Sequence, residues 1–480
     1  MTMCNDGFCD NRALALSRRE MLKGVSCGFG MLAFAGIAQA MAARVHTDDN
    51  PLSPKQPHFT PTAKRVIFLC MAGGPSHLDM FDYKPKLVAD DGKNSTIGRR
   101  RNAKLMGSPF SFDRHGESGM WFSELVPNIA THADRICMLN GMHTDIPAHA
   151  QAFVQMHTGS FQFVRPSMGA WSLYGLGTEN ENLPGFVTIS PPGGNGGAQN
   201  YGSAFLPAVN QGTRIASPGR RQAQRGGRGG QTEETIPNIQ QDRLTRAAQR
   251  EQIDLVQKLN QNSIRRGGDR DEIEGIIQSY ELAFRMQDTL PEVLDVRSID
   301  GRTRELYGLD NEATSRFGHQ CLMARQLAES GVRFIEVGAG GWDHHRNLRE
   351  SMVNSSTAID KPIAGLLTDL AERGMLDDTL VLYGGEFGRT PDAQNGDGRD
   401  HNAKGFTMWM AGGGVKGGLT YGATDDYGGE AVDGRIHIHD WHATILHLLG
   451  LNHEQLTYNH AGRDFRLTDV HGIVAKDILA

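Results

Sequence analysis

The sequence predicts an α/β fold: a doubly wound, mostly parallel central sheet with helices on both faces. Two patterns carry that expectation. Four short apolar runs each stop at a cluster of glycines, as strands buried on both faces do. Amphipathic stretches of helical period lie between them and end at glycine, a common helix C-cap.

The first run is Arg65-Val66-Ile67-Phe68-Leu69-Cys70-Met71, halted by Gly73-Gly74-Pro75. Residues 332–337 run into glycines at 338, 340 and 341, residues 379–383 into Gly384-Gly385, and residues 407–411 into Gly412-Gly413-Gly414. The helical patterns cover 317–330, 363–373 and 441–449. Residues 241–290 are strongly periodic with a polar outer face and read as an inserted helical hairpin or cap. The Gly-, Arg- and Gln-rich stretch within about 191–232 reads as a flexible surface loop. No internal repeat is present.

The head of the chain reads differently. Ser17-Arg18-Arg19-Glu20-Met21-Leu22-Lys23 precedes a short Gly- and Ala-rich apolar stretch, and Ala38-Gln39-Ala40 is a small-residue cleavage site. This order resembles signals read by the twin-arginine translocase, an address rather than an anchor. The expected location is therefore periplasmic or extracellular. Residues 41–62, with four prolines, read as an extended linker, and 63–480 as a single domain. No segment is long and apolar enough for a stable membrane span. The formal charge is −6, and the first forty residues carry four cations against three anions, which leaves the remainder near −7. Such mild acidity without a basic stripe excludes a nucleic-acid partner. Beyond the leader only Cys70, Cys137 and Cys321 remain, too few for a disulfide scaffold. They read as small core residues.

In an open α/β sheet, ligands gather at the carboxyl ends of the strands. Those ends deliver Ser76-His77-Leu78-Asp79, then Trp342-Asp343-His344-His345, then Glu386, with Asp400-His401 close behind. Mixed Asp, Glu and His donors at dispersed strand ends suit one or two divalent ions (Zn, Mn, Ca or Mg), and a rising histidine count favours the softer ones.

The blocks GGPSHLDMFDYKP, GGWDHH, GGEFGRTP, GRDHN and HATILHLLGL resemble an exported bacterial family catalogued as domain of unknown function 1501 and described as sulfatase-like. That family is similar to the alkaline phosphatase superfamily. The resemblance implies metal ions at the ends of the central sheet and hydrolysis of phosphate or sulfate esters, on small molecules or polysaccharide. By it, Asp79 with His77 nearby matches the carboxylate after the first strand. Asp343 and His345 match the middle ligands, and Glu386, Asp400 and His401 complete the shell. Two nearby cations would stabilise entering and leaving oxygens, and Arg389 and Arg399 could clamp a tetrahedral oxyanion.

The nucleophile is less well marked. The formylglycine segment of sulfatases, C-x-P-x-R or S-x-P-x-R, is absent. Its apparent counterpart runs from His143 to a helix ending at Thr158-Gly159, and the nucleophile position falls on His149. His149 reads as a metal ligand, a general acid or a covalent nucleophile. Ser76 and Thr144 are hydroxyl candidates, with Ser167 behind them. His437, His439 and His442 read either as a late ligand or as a helix-start network. The five tryptophans read as core or as a sugar-binding surface. Two functions follow: a metal-dependent ester hydrolase, or a non-catalytic carbohydrate- or surface-binding protein on the same fold.

Overall fold

The computed structural model describes residues 51–95, 97, 102–216, 244–267, 270–295 and 299–480. The leader over 1–40, the start of the linker and the whole 217–232 stretch lie outside the described residues. In chain order the principal elements are β1 (Arg65–Ala72), β2 (Ile136–His143), α1 (His149–Thr158), α2 (Met168–Leu176), β3 (Phe186–Ile189) and β4 (Thr213–Ile215). Next come α3 (Arg246–Arg265), α4 (Arg270–Val293), α5 (Glu312–Glu329), β5 (Phe334–Gly340), α6 (Leu348–Glu372) and β6 (Thr379–Gly384). A hairpin of β7 (Gly388–Gln394) and β8 (Gly398–Asn402) precedes β9 (Phe406–Ala411), β10 (Leu419–Tyr421), β11 (Ile436–His437) and α7 (Ile438–Leu448).

The central sheet has the order β10-β2-β9-β6-β1-β5-β3-β4, with β11 added against β2. β1 lies between β5 and β6, parallel to both. Only β9 runs against its neighbours, β6 and β2. All four apolar runs are strands of this sheet. Their continuity has a simple cause: alternate residues enter different cores. Ile67, Leu69 and Met71 face α5 and α6, while Val66, Phe68 and Cys70 face α1, α2 and α7. β2 was not among the expected strands, because Asn140-Gly141 interrupts its apolar run. The stretch read as a surface loop from about 191 also carries more order than expected. Its residues Thr213–Ile215 form the edge strand β4, paired in parallel with β3.

The described part of the expected linker lies against the fold, with Leu52 buried. Its backbone amides satisfy carbonyls left over at helix ends: Lys55 N donates to Leu176 O and Thr62 N to Leu448 O. The periodic stretch of 241–290 forms α3 and α4, tied by a two-bond fork from Arg250 to Glu281, both at 2.7 Å. All three described cysteines are free and buried. No helix among the described residues is long and apolar enough to cross a membrane.

His132 illustrates what burial costs this fold. It lies 6% exposed, with Nε2 3.1 Å from Thr368 Oγ1 on α6. Burial, reinforced by the Arg135 guanidinium, pushes its pKa down to about 4. The unfolded chain takes up this proton near pH 6.5 and the folded one does not until about pH 4. Stability is therefore lost as pH falls through that window, by up to about 3 kcal/mol from this residue alone. Urea unfolding midpoints measured from pH 7 to 4.5 are expected to fall, and to fall less steeply in His132→Gln. Parallel slopes for the two proteins would refute the assignment.

Candidate metal centre

The ends of β1, β5 and β6 meet at two consecutive peptide units. Gly73 N donates to both oxygens of Glu386 at 3.1 and 3.2 Å, and Gly74 N donates to Oε2 at 3.3 Å. Three residues past Glu386, Arg389 reaches the other side of the same turn. Its Nε donates to Gly74 O at 2.8 Å and its Nη2 to Gly73 O. One loop, Gly384-Gly385-Glu386-Phe387-Gly388-Arg389, thus takes both the donors and the acceptors of the turn after β1. Gly73 has φ +117°, and a Cβ there would sit 2.8 Å from the backbone N of Asp343. Only glycine lets the β1 and β5 exits come this close.

Each half of this clamp holds a further side chain. Glu386 Oε1 lies 2.5 Å from Nδ1 of His149, the first residue of α1. Arg389 Nη2 donates to Asp343 Oδ1 at 2.7 Å. Asp343 Oδ1 is also the point on which three imidazoles converge. The Nε2 atoms of His345, His149 and His401 lie 2.8, 3.1 and 3.3 Å from it, and those of His345 and His401 lie 3.0 Å apart.

The opposite ring nitrogens set what those Nε2 atoms carry when the rings are neutral. Nδ1 of His149 faces the Glu386 carboxylate, that of His345 faces Gln394 Oε1, and that of His401 lies 2.9 Å from Pro147 O. All three partners accept, so in the neutral rings each Nδ1 holds the proton and each Nε2 presents a lone pair. Three lone pairs and a carboxylate oxygen then point at one another. His149 Nε2 is buried and has no aligned hydrogen-bond partner. This donor set fits a divalent cation, with the acceptors behind the rings fixing tautomer and orientation as they do around bound metals. The four groups can supply ligand atoms within 4.8 Å of one another.

The electrostatics agree with a carboxylate held ionised. Burial alone would raise the pKa of Asp343, but the Arg389 guanidinium and His149 outweigh it and hold the carboxyl well below its ordinary range. Burial likewise works against a charged His149, and Glu386 and Asp343 reverse that, so its pKa is raised.

Of the expected ligands, the fold brings together Asp343, His345 and His401, and joins His149 to them. Glu386 stands one layer back, behind His149. Asp79 is not brought to the cluster. It is fully buried, accepts Ser76 Oγ at 2.5 Å, and is bound by Arg399 through Nε at 2.8 Å and Nη2 at 3.1 Å. His77 turns its Nε2 to Gly428 O at 3.0 Å. Asp400 accepts the backbone amide of His401 and lies in the wall of the neighbouring cleft.

The two arginines expected to clamp an oxyanion face inward. Arg389 is 1% exposed, and its donors go to Gly73, Gly74, Trp342, Asp343 and Arg399. Arg399 serves Asp79 and Thr390 O. Ser76 is closed in by Asp79, and Ser167 caps α2. Thr144 donates to Gln155 Oε1 at 3.0 Å and lines the cleft. His437 caps α7 through a reciprocal pair with Asp440, and His439 and His442 face the carbonyls of Gly159 and Met156. Four of the five tryptophans are core residues. Gln394 and the Pro147 carbonyl have no signal in the sequence, because a lone glutamine and a backbone oxygen carry no motif.

The cleft beside His401 has a volume of about 440 Å³ and runs from Thr144 and Asp145 past Gln394 to Lys404 and Glu430. A larger groove of about 720 Å³, between Met106 and Asn347, has none of the four converging residues in its wall.

Gly73→Ala tests the clamp. The added methyl must displace the backbone of Trp342 and Asp343, and φ +117° is strained for alanine. Expected is a loss of about 1–3 kcal/mol in stability together with at least a tenfold weaker divalent-ion affinity by calorimetric titration. Gly340→Ala, at a position with open space around the new Cβ, is the control and should leave both unchanged.

No curated protein matches the sequence. Among solved structures the chain is similar to the complex of Ps i-CgsB with k-i-k-neocarrahexaose, at 10% identity and TM-score 0.37, over 81% of this chain and 72% of that one. It is similar to the PsFucS1 sulfatase from Pseudoalteromonas sp. at 14% identity and TM-score 0.36, over 87% and 72%. It is also similar to the alkaline phosphatase of the Antarctic bacterium TAB5 at 9% identity and TM-score 0.31, over 81% and 98%. The family model described as "Protein of unknown function (DUF1501)" matches residues 63–479, and the chain belongs to that family.

Proposed function

We propose that the chain is an exported, metal-dependent hydrolase of sulfate or phosphate esters, acting on a small molecule or on polysaccharide. One observation carries the reading: three imidazole lone pairs and the Asp343 carboxylate converge beside an open cleft. Three nitrogens and one carboxylate favour Zn²⁺, or Mn²⁺, over Mg²⁺ and Ca²⁺, which take oxygen ligands. A divalent ion there supplies Lewis acidity toward an ester oxygen and toward water. Export is inferred from the Arg18-Arg19 leader and its cleavage site.

The chain's own residues divide the remaining work. His149, His345, His401 and Asp343 hold the ion. Glu386, Gln394 and the Pro147 carbonyl keep each Nδ1 proton in place. This use of both ring nitrogens removes His149 as attacking atom, and burial removes Ser76. Thr144 and Asp400 in the cleft wall meet the alcohol portion of the ester through hydrogen bonds. The inward arginines and the buried serine favour a second reading, a carbohydrate- or surface-binding protein that holds the ion without turnover.

Purified protein loaded with Zn²⁺ or Mn²⁺ should hydrolyse an aryl sulfate or aryl phosphate. Asp343→Ala is expected to lose one equivalent of bound metal and to lower kcat/KM at least 100-fold. Glu386→Gln keeps all four ligands and should weaken metal affinity by about 10–100-fold. Metal bound at Asp343 without turnover across a panel of esters would favour the binding reading. No metal at Asp343 would overturn both.

A further inference from the structure

We propose that Cys70, His157 and Glu336 form a second, fully enclosed site for a zinc-class cation, held between β1, β5 and α1. The three residues come from separate elements and meet on the sheet face covered by α1. Cys70 is in β1, Glu336 is in β5 opposite Phe68, and His157 is in the last turn of α1. Their side chains are 0%, 1% and 2% exposed. They offer ligand atoms within 4.8 Å of one another.

The nitrogen–oxygen distance is that of neighbouring ligands around one ion, and the sulfur–nitrogen distance is somewhat longer. His157 Nε2 lies 3.9 Å from Cys70 Sγ and 3.3 Å from Glu336 Oε2. Tetrahedral zinc, with bonds of about 2.3 Å to sulfur and about 2.0 Å to nitrogen and oxygen, places sulfur and nitrogen about 3.5 Å apart and nitrogen and oxygen about 3.3 Å apart. His157 Nδ1 lies 2.8 Å from Phe153 O, a pure acceptor. In the neutral ring that bond puts the proton on Nδ1 and turns the Nε2 lone pair toward Cys70 and Glu336.

The competing arrangement is an imidazolium–carboxylate pair beside a thiol. It accounts poorly for two details. A charge-assisted bond closes to about 2.7–2.9 Å, and this one stands at 3.3 Å. Glu336 Oε1 is also buried without a hydrogen-bond partner, as is the hydroxyl of Thr188, which pairs with Glu336 in register on the same sheet face. Unpaired polar oxygens in a sealed core are costly, and a cation offsets that cost for a carboxylate. Thiolate, carboxylate and neutral imidazole together carry two negative charges, which one divalent ion cancels.

The site has a mechanical consequence. α1 carries His149 at its first turn and His157 two turns later, about 12 Å along the axis. An ion shared by Cys70, His157 and Glu336 pins the far end of that helix to β1 and β5. The near end then presents His149 to Glu386 and Asp343.

The test uses the full chain with Cys4, Cys9 and Cys27 replaced by serine, loaded with Co²⁺. The outer cluster contains no thiol, so a near-ultraviolet thiolate-to-cobalt band reports the inner site. Two equivalents of cobalt and such a band are expected. Cys70→Ser should remove the band and one equivalent, whereas Asp343→Ala should remove one equivalent and leave the band. If Cys70→Ser does not fold, X-ray absorption on the zinc-loaded parent decides, through a sulfur neighbour at about 2.3 Å. No thiolate band together with no zinc–sulfur neighbour would overturn the inner site, and a band that survives Cys70→Ser would do the same. Failure of the outer cluster alone would instead appear as loss of the equivalent that depends on Asp343.

Discussion

The turn after β1 is gripped from both sides by one short loop, and the outer cluster hangs from that grip. Glu386 collects the amides of Gly73 and Gly74, and Arg389 collects their carbonyls. Hydrogen bonds with one ionised partner contribute about 1.5–3 kcal/mol each. These bonds are sheltered from water, since Glu386 and Arg389 are almost fully buried. The same two side chains then reach outward, Glu386 to His149 and Arg389 to Asp343. The backbone of β1 thereby positions a helix start and a strand exit that would otherwise be independent.

The arrangement also explains why the conspicuous charged groups are not at the cleft. A sheet edge packed on both faces leaves backbone groups that need partners, and buried polar groups are rarely left unpaired. Arg389 and Arg399 meet that demand, one at the Gly73-Gly74 turn and the other at Asp79 and Thr390. What remains exposed is a softer donor set of imidazoles, with Asp343 half-open among them. Its chemistry is that of a cation site more than of an anion clamp.

Much of the fold was legible because its signals are local. A strand buried on both faces must be continuously apolar, and a glycine-rich exit marks where the chain leaves the sheet. Both rules hold at β1, β6 and β9, whereas at β5 the buried Glu336 interrupts the apolar run and the glycine-rich exit carries the signal. β2 escaped because Asn140 and Gly141 break its run. The antiparallel direction of β9 could not be read, since an apolar run looks alike in either direction. The candidate site was partly legible for the same reason: Asp343, His345 and His401 stand at or just past strand ends. Gln394 and the Pro147 carbonyl were not, because their roles depend on what stands opposite them.

By itself, then, the sequence determined the type of sheet, the ends at which its carboxylates and imidazoles are displayed, and the family to which those blocks belong. The tertiary structure decided which of those groups face one another. A side chain at a strand end can turn to the cleft or back into the core, and its choice depends on a partner remote in the chain. Asp79 turns inward because Arg399, 320 residues later, lies in the core, and His149 joins the cluster because Glu386, 237 residues later, accepts a hydrogen bond from its Nδ1–H. Pairings over such distances follow from packing, and no local pattern of residues encodes them.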